Sequence, residues 1–171
     1  MTFKLLNTKI YVSYLFISLL TLVLLYKESE ILSLCLLFSL AHEMGHIIMM
    51  KLLGATLNEI KFMPFGIAIK TSDLSALSKL KQTIVLLSGV LINAVLLPLN
   101  FEINLALIMF NLLPIGNLDG GRILKLLTRS KKVSLVISLI ILFPLFLLSI
   151  KHQNETLFLT SAYLFLTVFF K

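Results

Sequence analysis

Six apolar runs, separated by short polar interruptions, make up most of this chain. A helix that crosses a membrane needs about 20 mainly apolar residues at about 1.5 Å rise each. By that rule the runs at residues 10–26, 31–53, 83–99, 101–113, 133–150 and 157–170 are read as membrane helices. The fourth is short for a full crossing and is expected to stop part-way, with a polar turn after it. Pro144 is expected to kink the fifth, and the sixth is short as well. No small-residue cleavage site follows the first run, which therefore reads as a retained anchor rather than a signal peptide. The segment IKFMPFGIAIK at residues 60–70 is apolar but interrupted by Pro64 and Gly66, and it reads as strands.

Composition makes the membrane reading firm. Hydrophobic residues are 58% of the chain, charged residues 13%, and the mean hydropathy is +1.03; an ordinary soluble domain is far less apolar. With 171 residues and no linker, low-complexity tract or internal repeat, a single domain is expected. The net charge of +7 would suggest nucleic acid in a soluble protein, but here the basic residues cluster between the apolar runs. Nucleic acid is therefore not an expected partner; the lipid bilayer is.

The connections alternate in charge. Lys4 and Lys9 precede the first run, Lys51 at the end of the second run joins Lys61, Lys70, Lys79 and Lys81 at the second-to-third connection, and Arg122, Lys125, Arg129, Lys131 and Lys132 lie between the fourth and fifth. Lys171 closes the same side, whereas the other connections hold Lys27 with Glu28 and Glu30, then Glu102, then Lys151 with Glu155. By the positive-inside rule a multi-pass protein of a cell membrane is expected, with both termini cytoplasmic. Cys35 is the only cysteine and sits in an apolar run, so neither a disulfide nor a cysteine metal cluster can form within one chain.

The second run contains AHEMGH at residues 41–46, three ionisable groups where burial costs several kcal/mol. On a helix, positions i and i+4 share a face with Cβ atoms about 6 Å apart, so His42 and His46 can both reach one zinc ion at about 2.0–2.1 Å. Glu43 then stands beside the metal as a general base for water, the arrangement of H-E-x-x-H. Hydrogen bonding of the three side chains within a bundle core is the plainer alternative. A haem site is weaker, because His152 is the one other histidine and lies in a predicted external loop. Two histidines leave a catalytic zinc one protein ligand short. The chain has two aspartates: Asp73 in a basic stretch, and Asp119 in NLLPIGNLDGGRIL after the short fourth run. Asp119 is the better third ligand, and Pro114, Gly116, Gly120 and Gly121 would let the backbone turn sharply there. Capping of a helix at 120–127 is the other job Asp119 could do, and the two are compatible.

The pair HEMGH and NLLPIGNLDGG resembles the site-2 protease family of intramembrane zinc metalloproteases, in particular bacterial members similar to stage IV sporulation protein FB. Two weaker likenesses accompany it: Pro64, Phe65 and Gly66 after the metal helix, and SGVLIN at residues 88–93, similar to a G-x-x-x-N pattern with Val90 where proline is frequent. The resemblance implies a zinc-dependent endopeptidase that cuts a membrane protein or membrane-associated peptide in or near a transmembrane segment. One Zn2+ per chain would be held by His42, His46 and Asp119, with Glu43 as general base. Asn111 and Asn93 would be auxiliary residues that bond the substrate backbone or the oxyanion, or alternatively bond helix to helix. The segment at 60–70 is similar to a membrane-surface hairpin whose edge pairs with unwound substrate, or serves as an interfacial anchor.

The expected fold is thus an all-α membrane protein, a polytopic bundle of about six transmembrane helices with a small membrane-surface β-hairpin. The C-terminal nucleotide-sensing domain common in sporulation protein FB relatives is expected to be missing, so substrate choice would lie in the bundle, the hairpin or a regulatory membrane partner. The competing reading is a catalytically inactive zinc-binding membrane protein that holds membrane clients. Retention of Glu43 argues against it.

Overall fold

The computed structural model describes residues 1–5, 8–25, 30–63, 66–71, 76–128, 130–153 and 155–169. These form two compact units, Met1–Ile108 and Met109–Lys171.

The first unit begins with two short strands, β1 (Thr2–Leu5) and β2 (Thr8–Val12), before the first helix α1 (Tyr14–Leu25). The expectation of a helix from residue 10 is corrected here. Ile10, Tyr11 and Val12 are β-branched or aromatic, suit an extended chain, and pair in parallel with Ile60, Lys61 and Phe62 of β3 (Leu57–Met63). Ser13 then starts α1, its Oγ accepting from the Phe16 amide at 3.0 Å. The long helix α2 (Glu30–Leu52) leads into β3, which turns back as β4 (Gly66–Thr71). The expected hairpin is present, but as half of a four-stranded sheet in the order β1-β2-β3-β4, with β1 and β4 at its edges. Pro64 and Phe65 lie outside the described residues.

The sheet has two chemically distinct faces. Register places Phe3, Ile10 and Ile60 in one row, and Lys4, Lys9 and Glu59 in the next. Side chains alternate across a strand, so the first row faces the core and the second faces away. Ile60 joins Ile47, Met50, Ala55, Leu57 and Val85 in one apolar cluster, with Phe62 and Ile69 packed against it. The sheet thereby covers the C-terminal end of α2 and the start of α3 (Lys79–Val95), whose N-cap is Ser78. Along their length α2 and α3 approach closely because Gly45 faces Gly89. A Cβ on Gly45 would fall 2.7 Å from the Ser88 carbonyl and 3.1 Å from the Gly89 Cα. Helix α4 (Phe101–Leu112) follows. Within it Asn104 is buried, donating to the Leu96 and Asn100 carbonyls at 3.1 and 2.9 Å.

The second unit holds α5 (Asp119–Thr128), α6 (Lys131–Lys151, with Pro144 inside it) and α7 (Glu155–Phe169). Its core is Ile115, Leu142 and Leu164, joined by Phe110, Leu113 and Leu118. On α6 and α7 the buried positions include Ser134, Ser138, Ser149 and Ser161, while Val136, Ile140, Phe143, Leu159 and Leu166 are exposed. Small hydroxyl residues inside and large apolar ones outside invert the pattern of a soluble protein.

Two of the helices, α2 and Lys132–Lys151 within α6, are long and apolar enough to cross a membrane; Tyr14–Val23, Phe101–Leu112 and Leu157–Leu166 are shorter apolar helices.

Candidate metal centre

His42 and His46 lie one turn apart on α2, both buried against α3. Their rings meet edge to face with centroids 4.8 Å apart, and the two Nε2 atoms are 3.2 Å from each other. His46 Nδ1 stands 2.8 Å from the Val85 carbonyl oxygen. A carbonyl can only accept, so Nδ1 carries the proton and the lone pair of His46 resides on Nε2. Ser88 reinforces this arrangement: its hydroxyl donates to the same carbonyl at 2.6 Å, and its oxygen lies 3.5 Å from His46 Nδ1.

The 3.2 Å separation of the two Nε2 atoms fits a shared metal ion. Two nitrogens bound to one tetrahedral zinc at about 2.05 Å stand about 3.3 Å apart. The space for the rings comes from Gly89. A Cβ at that position would fall 2.6 Å from His42 Nε2 and 2.7 Å from His46 Cε1, so any side chain there would occupy the volume of the imidazoles. Gly89 is the glycine of the G-x-x-x-N pattern within residues 88–93, and the partners it accommodates are the two candidate ligands. Glu43, next along α2, is half-buried and lies off the buried face that carries His42 and His46.

Asn93 follows Gly89 by one turn on the same buried side of α3. It is 0% exposed, and among the described residues neither its side-chain oxygen nor its nitrogen has a hydrogen-bond partner. Burying an amide in this state costs about 1–3 kcal/mol.

In the second unit, the polar turn at residues 113–118 is built so that non-helical backbone is satisfied away from water. Lys125 Nζ donates to the Gly116 carbonyl at 2.6 Å, and Ser138 Oγ donates to the Pro114 carbonyl at 3.0 Å. Gly116 itself has φ +52°, a left-handed conformation that glycine adopts without strain. Ile115 anchors the turn in the core. Asp119 is buried and opens α5, but it is not the cap: Arg122 N donates to the Leu118 carbonyl at 2.9 Å, which puts Asp119 one residue inside the helix. The positive end of the helix macrodipole favours a carboxylate there. Asn111 is half-buried in the last turn of α4.

The chain superposes on the site-2 protease from Methanocaldococcus jannaschii with a TM-score of 0.68, over 98% of this chain and 93% of that one, at 22% identity. The chain has the fold of a site-2 protease. No family model matches the sequence, and no curated protein matches it.

Among the residues singled out from sequence, His42 and His46 are brought together and Asn93 lies one turn along α3 from Gly89, which packs on them; Gly66 starts β4. Three contributors escaped sequence reading: the Val85 carbonyl, Ser88 and Lys125. Val85 acts through its backbone, which no residue type announces. Lys125 was counted only among the charges that set orientation.

Proposed function

We propose that this protein is a zinc-dependent intramembrane endopeptidase that cleaves a peptide bond in or near a membrane segment of another protein. The observation that carries this reading is the pair of Nε2 atoms 3.2 Å apart, next to Glu43, on a helix apolar enough to cross a membrane. The likeness to the M. jannaschii protease supports it at the level of fold. Apolar exteriors on α6 and α7 support a bilayer as the surroundings, and the alternating charge of the connections favours cytoplasmic termini for a six-span bundle.

His42, His46 and Asp119 would hold the ion, two neutral imidazoles and one carboxylate being a donor set of catalytic zinc. Zinc bound there would polarise water and the scissile carbonyl. Glu43 takes the proton of the attacking water and returns it to the leaving amine. The Val85 carbonyl keeps the His46 ring in the orientation and tautomer that present Nε2. Asn93 and Asn111 supply amide groups to the substrate backbone or the oxyanion. A helical substrate hides its own amides, so its scissile region must unwind and find new partners; β4, an edge strand of the sheet among the described residues, offers them by strand addition. The retained Glu43 favours this reading over an inactive client-binding relative.

Chelation tests the proposal. Purified protein in lipid vesicles, given a panel of single-span membrane proteins, should lose cleavage on treatment with 1,10-phenanthroline and regain it with added zinc. Cleavage that survives removal of all bound metal would refute it.

A further inference from the structure

The β1–β2 hairpin is amphipathic in a way the core does not require. On one face, Phe3 pairs with Ile10, which pairs with the core residue Ile60. Yet Phe3 is 56% exposed, because β1 is the edge strand and extends past the apolar cluster that the rest of the sheet covers. Tyr14 and Leu15, at the first turn of α1 just after β2, are exposed too. On the opposite face Lys4 and Lys9 stand directly across from each other. Both are exposed, and Glu59, in register with Lys9 on β3, lies on the same face. Their neighbour Lys61 is different: its Nζ lies 3.5 Å from Glu59 and 5.8 Å from the Tyr11 ring centroid. Like charges directly opposite on adjacent strands destabilise a hairpin, and the one carboxylate in their row, Glu59, stands on the Lys9 side and is shared with Lys61.

We infer that the β1–β2 hairpin is an interfacial element that binds anionic phospholipid, with Phe3 at the boundary of the acyl chains and Lys4 and Lys9 on the headgroup phosphates. An acidic protein segment would match the two lysines alone and leave the exposed Phe3 unexplained. A bilayer surface matches both faces, because apolar side chains enter the acyl boundary while lysines stay among the anionic headgroups. Each lysine near an anionic surface contributes about a fivefold gain in binding, so the pair contributes about 25-fold. The inference rests on the membrane setting of the proposed function but not on its chemistry.

The chain has no tryptophan, so a single introduced indole reports its own depth. The full-length Phe3→Trp protein would be reconstituted in vesicles of phosphatidylcholine carrying acyl-chain bromines, with or without phosphatidylglycerol. A Leu147→Trp protein, altered at an exposed position of α6, reports insertion. The expected result is strong quenching of the Phe3→Trp indole with phosphatidylglycerol and weaker quenching without it. Adding Lys4→Gln and Lys9→Gln should lower the first value to the second. Quenching at position 147 but not at position 3 would overturn the inference. So would quenching that ignores both lipid charge and the two lysines, and so would an emission shift caused by a soluble oligoglutamate peptide but not by phosphatidylglycerol. No quenching at position 147 would remove the membrane setting and the inference with it.

Discussion

The Nδ1 atom of His46 lies 2.8 Å from the carbonyl oxygen of Val85, so a helix backbone decides which nitrogen of a candidate metal ligand is available. Neighbours of this kind orient a ligand and tune its affinity, and disturbing them lowers metal affinity by about 10- to 100-fold.

Gly89→Ala applies that disturbance directly, because the added Cβ would lie 2.6 Å from His42 Nε2 and displace the ring. Zinc affinity should fall by about tenfold or more, read by competition with a chromophoric chelator, while helix content by circular dichroism stays unchanged. Wild-type affinity in this variant would show that the two rings do not form the metal site.

Asn93 makes a prediction of opposite sign for stability and activity. Its buried amide has no partner among the described residues, so Asn93→Leu should stabilise the protein by about 1–3 kcal/mol in unfolding experiments. Cleavage should fall by about tenfold or more if Asn93 is the proposed donor to the substrate. A more stable variant with full activity would make Asn93 a packing residue.

The helical framework and the paired histidines were legible in the sequence because length, apolarity and i, i+4 spacing are local signals. The strands read at residues 60–70 followed from an equally local signal, the interruption of an apolar stretch by Pro64 and Gly66. The N-terminal hairpin was not legible. Ile10–Val12 is apolar and merges into the run that becomes α1, and what makes it a strand is parallel pairing with residues about 50 positions later. The role of the Val85 carbonyl was hidden for a related reason: a backbone acceptor has no residue type, and its partner is 39 positions away in sequence. Asp119 was read as a ligand or a helix cap, and the backbone bond from Arg122 to Leu118 places the cap one residue earlier.

Lys125 should matter more than a surface lysine. Its charged hydrogen bond to the Gly116 carbonyl holds the turn that leads into Asp119. Lys125→Met should lower stability by about 1.5–3 kcal/mol, measured by thermal unfolding in detergent, and Lys125→Arg should retain most of it. An unchanged Tm in Lys125→Met would mean that the turn is held by Ile115 and Ser138 alone.

In the proposed enzyme the His42, Glu43 and His46 cluster performs hydrolysis and does not merely bind a metal. The direct measurement is cleavage of a membrane-protein reporter by purified wild-type and Glu43→Gln proteins in vesicles, with bound zinc determined in both. Equal zinc with a loss of about 10²-fold or more in cleavage rate is the predicted outcome. Equal zinc and equal cleavage by the two proteins would contradict it.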